Sequence, residues 1–263
     1  MITGELSLRL TNINGRMLFE KSYVRGAFKL GKPVFRNGIP LYYLLHVGGG
    51  YISGDHYTQQ IELLNDTTLY LTTQAATKVY KGTKPAVVST TIKLGENSHL
   101  SLLQDPLILY ENATFHQITN IDLAATSTLY YSEIITPGWS ESSQPFLYHE
   151  FFSDFTASKA GKLFYVDRLC WEKGEQSTML HLGNYTHYGT YLCVEVLPIS
   201  FIEQLYLMER NDSQIGISML KEEGGFVMKV IANQTQIIEE VFQEVDTMLR
   251  LRKSEKPLLL RKY

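Results

Sequence analysis

Ile61-Glu62-Leu63-Leu64-Asn65-Asp66-Thr67-Thr68-Leu69-Tyr70-Leu71-Thr72-Thr73 decides the fold class of this chain. Ile61 and Leu63, then Leu69, Leu71 and Thr73, stand at alternate positions, which is the period of a strand with one buried face. Asn65-Asp66 separates the two runs as a turn. The same grammar recurs outward: Leu100 and Leu102 alternate, and so do Leu129, Tyr131, Glu133 and Ile135. Further turn signals fall at Lys81-Gly82, Gly95-Glu96-Asn97, Pro137-Gly138, Ala160-Gly161 and Lys173-Gly174. Seventeen Tyr and twelve Phe supply the large flat side chains that pack on pleated surfaces. Turns about every 10–20 residues, with no helix–strand alternation, predict a large antiparallel β body over about residues 1–197.

The pattern changes near Pro198. Ser200-Phe201-Ile202-Glu203 reads as a capping box opening a helix over about 201–210. Strands are expected around Gln214–Met219 and Phe226–Ile231, joined through Gly224-Gly225. Ile237, Ile238, Val241, Phe242, Val245, Met248 and Leu249 then form one helical stripe, predicting a helix over about 234–252 capped by Asn233. Glu239 and Glu240 early and Arg250 and Arg252 late suit its dipole. No linker, internal repeat or low-complexity tract is read, so residues 1–263 are expected to form one β-dominated domain with an α/β portion from about 198.

Composition narrows the function. Of 263 residues, 24 are Lys or Arg and 27 Asp or Glu, a net charge of −3, so no basic surface marks a nucleic-acid binder. No run is long and apolar enough for a membrane span, and no leader pattern is visible, so a cytoplasmic protein is expected. Cys170 and Cys193 make no disulfide framework and are read as small buried apolar residues. The seven His have no metal-site spacing and are read as dispersed, satisfied polar residues. No G-x-x-x-x-G-K-[ST] exists to cradle phosphates. Gly48-Gly49-Gly50-Tyr51-Ile52-Ser53-Gly54 has Ser53 where a dinucleotide fingerprint needs its third glycine, and a strand pattern follows instead of a helix.

Two segments remain: Gly48-Gly49-Gly50-Tyr51-Ile52-Ser53-Gly54-Asp55, and Thr72-Thr73-Gln74-Ala75-Ala76-Thr77-Lys78-Val79-Tyr80. The glycines demand positive φ or a close backbone neighbour. The second segment puts small and hydroxyl groups where a half-buried strand normally carries larger ones. Together the two resemble the signature of the urease accessory protein UreD (UreH) family: Gly-Gly-x-x-x-Gly-Asp, a strand, then Thr-Thr-Gln-Ala-Ala-Thr-Lys-x-Tyr. The resemblance continues through Leu103-Gln104-Asp105-Pro106-Leu107-Ile108, Glu111-Asn112-Ala113, Ile121-Asp122-Leu123, Leu129-Tyr130-Tyr131-Ser132-Glu133 and Val166-Asp167-Arg168-Leu169. It covers most of residues 40–195. The chain departs from the family at Gly138-Trp139-Ser140-Glu141, where Gly-Arg is usual, and at Asp105.

The resemblance implies a two-layered, β-helix-like body of many strands with two helices in the C-terminal portion. It implies a non-enzymatic chaperone for urease maturation, acting with UreF and the GTPase UreG on the urease apoprotein. No cofactor is tightly held; Ni²⁺ is in transit through an internal tunnel, with Asp55, Thr77, Glu133 and Asp167 as candidate positions on its path. From the residues alone, Glu133 shares a face with Leu129, Tyr131 and Ile135, and Asp167 with Leu163, Tyr165 and Leu169. A carboxylate there needs water or a partner. A wet channel and a structural ion pair (Asp167 with an arginine, Glu133 with Lys78) both satisfy that need. A scaffold without a metal role and a carboxylate-dependent carbohydrate-active enzyme on a β-rich fold stand as alternatives. Lacking a phosphate loop, the purified chain is expected to turn over no GTP above a buffer control in a phosphate-release assay.

Overall fold

The computed structural model describes residues 2–260 apart from 37, 174–181, 209, 221–223 and 259; Gly174 and His181 therefore lie outside the described residues. In chain order the elements are β1 (Gly4–Ile13), β2 (Arg16–Arg25), β3 (Phe28–Leu30), β4 (Val34–Arg36), β5 (Ile39–His46), β6 (His56–Leu63), β7 (Thr68–Thr73), β8 (Thr77–Val79), β9 (Ala86–Leu94), β10 (His99–Leu103), β11 (Leu107–Leu109), β12 (Thr114–Leu123), β13 (Thr128–Ile135), β14 (Glu150–Lys159), β15 (Lys162–Glu172), β16 (His187–Val194), α1 (Ile199–Tyr206), β17 (Ser213–Met219), β18 (Phe226–Ala232) and α2 (Thr235–Arg252).

The expected strands form, but through the central passes they pair parallel instead of antiparallel. The chain passes from β6 in one sheet to β7 in the other, then β9 and β10, then β12 and β13. Each strand lies parallel to its counterpart one pass later: His56 pairs with Val87 and Val87 with His116 in the first sheet, Thr68 with His99 and His99 with Thr128 in the second. This is the β-helix-like arrangement, in two sheets ordered β15-β14-β12-β9-β6-β1-β2 and β17-β18-β16-β13-β10-β7-β5-β3. Antiparallel pairing is kept for β1–β2, for β3 and β4 on β5, for β14–β15, and from β13 through β16 and β18 to β17.

The bends between the sheets repeat, and the sequence carries the repeat. Leu63 and Leu69, Leu94 and Leu100, and Leu123 and Leu129 flank bends in which a buried hydroxyl donates to the carbonyl three residues back: Thr67 to Leu64 at 2.6 Å, Ser98 to Gly95 at 2.7 Å, Ser127 to Ala124 at 2.8 Å. Asp66 and Asn97 occupy the left-handed region, at φ 57° and 56°, which Asp and Asn tolerate. Successive bends are stitched laterally, with Glu96 N–H donating to Asn65 and Thr126 donating to Glu96. Residues 56–135 thus contain the internal repeat that a search for low-complexity or duplicated segments passes over.

The core has two apolar layers. Leu6, Leu8, Ile61, Ile92, Leu100, Leu129, Phe151 and Leu192 pack between the sheets. Tyr130, Ile134, Tyr191, Phe226 and Met228 face outward from the second sheet and are covered by Phe201 and Leu205 of α1 and by Ile238, Val241, Phe242, Val245 and Leu249 of α2. β17 and β18 extend the second sheet, so the strands after Pro198 add to the body instead of standing apart from it.

Local details correct several expectations. Helix α1 starts at Ile199 behind Pro198, whose ψ of 151° is extended; Ser200 is already helical, no capping-box bond forms, and the helix stops at Tyr206. Gln234, not Asn233, precedes α2, and Glu239 and Glu240 lie beyond its first turn. Cys193 is buried as expected, whereas Cys170 is exposed. A register shift between Ala157 and Ser158 moves Leu163 off the face of Tyr165, leaving it 57% exposed.

Arg250, read from the sequence as suiting the helix dipole, is 1% exposed. Its guanidinium donates to Asp246 at 2.6 and 3.1 Å and to Ser101 at 3.1 Å, and lies 4.4 Å from the Tyr70 ring. The pair fastens α2 to β7 and β10. Arg250→Ala should destabilise the protein by about 3–5 kcal/mol, because it leaves Asp246 buried and unpaired. Replacing both as Asp246→Leu/Arg250→Met should cost clearly less, and urea unfolding of the two variants measures the difference.

Candidate functional site

Side chains that point between the sheets are apolar over most of the sandwich and become polar toward one end. Alternation from Leu69, Leu100 and Leu129 brings Thr73 and Glu133 to the interior, with Gln104 beside them. From the first sheet, Gln59, Thr90 and Thr119 lie in one row across β6, β9 and β12, with Gln117 in the row next to it. A polar residue cannot close-pack there as Leu does, and a cavity of about 390 Å³ opens between the sheets. At about 30 Å³ per water it holds roughly a dozen.

The two unusual sequence segments form its rim. Gly49, Gly50 and Gly54 have φ of 76°, 145° and 82°, while Gly48 does not enter that region. A Cβ on Gly50 would lie 2.4 Å from the Lys78 carbonyl oxygen, so the glycine loop and the Thr77–Val79 strand approach as only Gly allows. Tyr51 N–H donates to that carbonyl at 2.8 Å, and Tyr80 N–H donates to Tyr51 O at 2.9 Å. Gln74, Ala75 and Ala76 also line the cavity, and the two alanines present only methyl groups there.

The four candidate positions part company. Thr77 and Glu133 line the cavity. Asp55 does not; its carboxylate accepts the Ile52 N–H at 2.9 Å and braces the glycine loop from below. Asp167 pairs with Lys229, not with an arginine, and accepts the Tyr165 hydroxyl at 3.0 Å. Glu133 makes no bond to Lys78. It accepts Gln117 Nε2 at 3.1 Å and the Tyr131 hydroxyl at 3.2 Å. Burial lifts its carboxyl above the usual range, partly offset by Lys229 and reinforced by the Asp167 charge.

Residues outside the expected set complete the lining. Thr73 Oγ1 donates to Asp105 at 2.9 Å and accepts the Asp105 N–H at 2.7 Å, fixing that carboxylate against the cavity wall. His46 sits at the rim among Phe28, Tyr51 and Tyr57 with neither ring nitrogen hydrogen-bonded; burial lowers its pKa, opposed by Asp55. Strand parity from Leu71 and Leu102 carried the signal for Thr73 and Gln104. Among the described residues, no three His, Cys, Asp or Glu side chains converge as a tight metal centre requires. Hydroxyls, amides and single carboxylates offer a divalent cation weak, exchangeable ligands.

Comparison with known proteins places this geometry. A family described as UreD urease accessory protein matches residues 3–262. A urease accessory protein UreD of Bacillus sp. (strain TB-90) is 36% identical over 254 residues, covering 94% of each chain. Proteins of the same name from Lachnoclostridium phytofermentans and Staphylococcus saprophyticus are 33% and 32% identical, covering 99% and 92% of this chain and 98% and 90% of their own.

The rim predicts a graded glycine response. Gly50→Ala meets both a strained φ and the Lys78 backbone and should cost about 2–3 kcal/mol or more. Gly54→Val, at φ 82° with only the flexible Lys84 side chain within 3.8 Å of an added Cβ, should cost about 1–2 kcal/mol. Thermal melts of the two variants give the order, and an unchanged melt for Gly54→Val would make that glycine incidental.

Proposed function

The chain belongs to the UreD family of urease accessory proteins and so serves urease maturation; from that premise we propose that it passes Ni²⁺ to the urease apoprotein through the cavity between its two sheets. In this reading it works in the cytoplasm as a non-enzymatic chaperone, together with a UreF-like accessory protein and a UreG-like GTPase, which supplies the nucleotide turnover. The supporting observation is the cavity itself. A β sandwich gains most by filling its interior with Leu and Ile, yet this one places Thr73, Thr77, Gln104, Asp105, Gln117 and Glu133 around a space.

The chemistry of the lining suits a carrier. Imidazole and thiolate clusters bind late first-row divalent ions strongly, whereas oxygen donors bind them less strongly and let go. Glu133 is a single carboxylate already accepting bonds from Gln117 and Tyr131, so it attracts a cation without enclosing it. Asp55 and Asp167 leave the proposed path as free ligands, since each already serves a turn or an ion pair. Those two engagements favour the scaffold reading at their own positions. The enzyme alternative draws no support from relatives named as accessory proteins.

Glu133 separates conduit from scaffold. Glu133→Gln keeps an acceptor for Gln117 and removes the charge, so the assembly with partners should form normally on co-expression while the nickel content of urease falls several-fold. Asp167→Asn breaks an ion pair and should lower the melting temperature as well. Full nickel loading by Glu133→Gln, measured by metal analysis of purified urease, would leave the scaffold reading in place.

A further inference from the structure

The polar row that lines the cavity does not stop at Glu133. Strand register carries it across the second sheet, Glu133 of β13 beside Thr190 of β16, and Thr190 beside Lys229 of β18. Strands stand about 4.8 Å apart, so Lys229 is rooted roughly 10 Å from Glu133. Its ammonium leans back along the row, donating to Thr190 Oγ1 at 2.9 Å. From the facing sheet, Asp167 meets the same ammonium directly. The rings of Tyr188 and Tyr165 close around it, at 5.0 and 5.9 Å from the nitrogen.

Two facts set this cluster between the cavity and solvent. Glu133 lines the cavity, whereas Lys229 and Asp167 do not, so the pair stands beyond the cavity's end. Their side chains are 30% and 20% exposed, so beyond the pair lies solvent. The ammonium also bears on Glu133, drawing its carboxyl toward the charged form against burial.

We propose that Lys229 is a tethered cation standing beyond the acidic end of the cavity, so that a metal ion leaving past Glu133 must displace it. The inference rests on the conduit reading of the cavity. The lysine does two things for a carrier. It pairs with Asp167 while no metal is there and offsets part of the repulsion between that carboxylate and Glu133, which lets two carboxylates share one interior region. It also competes with whatever cation arrives. A monovalent ion offers the carboxylates no more charge than the ammonium already does, and it lacks the tether. A divalent ion offers twice the charge and can take the ammonium's place, while competition from the tethered ammonium keeps the ion weakly held and exchangeable. Selection for a divalent cargo and its release come from the same residue.

The probe is Ni²⁺ alone, added to the full chain in equilibrium dialysis with 100 mM K⁺ as competitor. Lys229→Gln should bind Ni²⁺ about tenfold more tightly than the parent chain and release it more slowly, since a unit charge beside the ion has been removed. Lys229→Arg keeps the charge and should bind as weakly as the parent. A folded Lys229→Gln protein with unchanged or weaker Ni²⁺ affinity overturns the proposal. If that variant does not fold, Asp167→Asn and Asp167→Asn/Lys229→Gln carry the same comparison, with the double variant expected to bind the more tightly and equal affinity counting against the lysine. Glu133→Gln runs in parallel. If it weakens Ni²⁺ binding while Lys229→Gln changes nothing, only the role of the lysine falls. If it changes nothing in any background, the conduit falls, and this inference with it.

Discussion

A chain that crosses repeatedly between two parallel sheets must reverse direction in a few residues without a helix, and it must satisfy its own backbone in doing so. Here one buried hydroxyl per bend meets that demand, from Thr67, Ser98 and Ser127 in turn. Each occupies a place where an unpaired carbonyl would cost about 1–3 kcal/mol. With the bends fixed, every following strand enters in the same register as the one before it. Leu69, Leu100 and Leu129 then stack in one column and Leu71, Leu102 and Tyr131 in the next. The cavity inherits this order. Because register is exact along a column, one polar residue per pass is enough to build a polar row, and no loop is needed to gather it.

The same regularity divides the labour between the two faces of the second sheet. Its outer face is apolar and is sealed by α1 and α2. Its inner face changes along the strands from Leu and Tyr to Thr, Gln and Glu. A slip of one residue would exchange the faces, sending Glu133 under α2 and Ile134 into the cavity. Arg250, tied to Asp246 and Ser101, holds α2 over that sheet and thereby resists the slip from outside. The stability of the helical layer and the chemistry of the interior are therefore one problem.

How much of this was legible depends on the range over which each feature is encoded. Strand existence and face are written in neighbours two residues apart, and Glu133 was rightly placed among Leu129, Tyr131 and Ile135. Parallel pairing is not, since alternation looks the same in a hairpin and in a solenoid. The discriminating signal is the recurrence of Leu, five residues and Leu around a Thr- or Ser-bearing bend, at a spacing that hairpin reasoning does not inspect. Lys229 was hidden for another reason. It sits within an otherwise apolar strand, and its partner Asp167 is 62 positions away, so no local pattern joins them. Asp55 belongs to the same motif as the loop it follows, and only the fold shows that its carboxylate accepts the Ile52 N–H outside the cavity lining.

Stacked passes also imply an order of assembly. Each strand of the central body contacts one about 30 positions away, so the body can grow by accretion, every completed pass offering a template edge to the next. Arg250 is different in kind, because Ser101 lies 149 positions behind it. Closing so wide a loop is favourable only when its far side already exists. The second helix is thus the last piece of the described body to settle, and during synthesis the part of the outer face that it covers stays bare until the ribosome has passed Arg252. For that interval Tyr130, Ile134, Tyr191 and Phe226 form an exposed apolar sheet surface, and the speed with which α2 covers it sets how much of the newly made protein escapes aggregation.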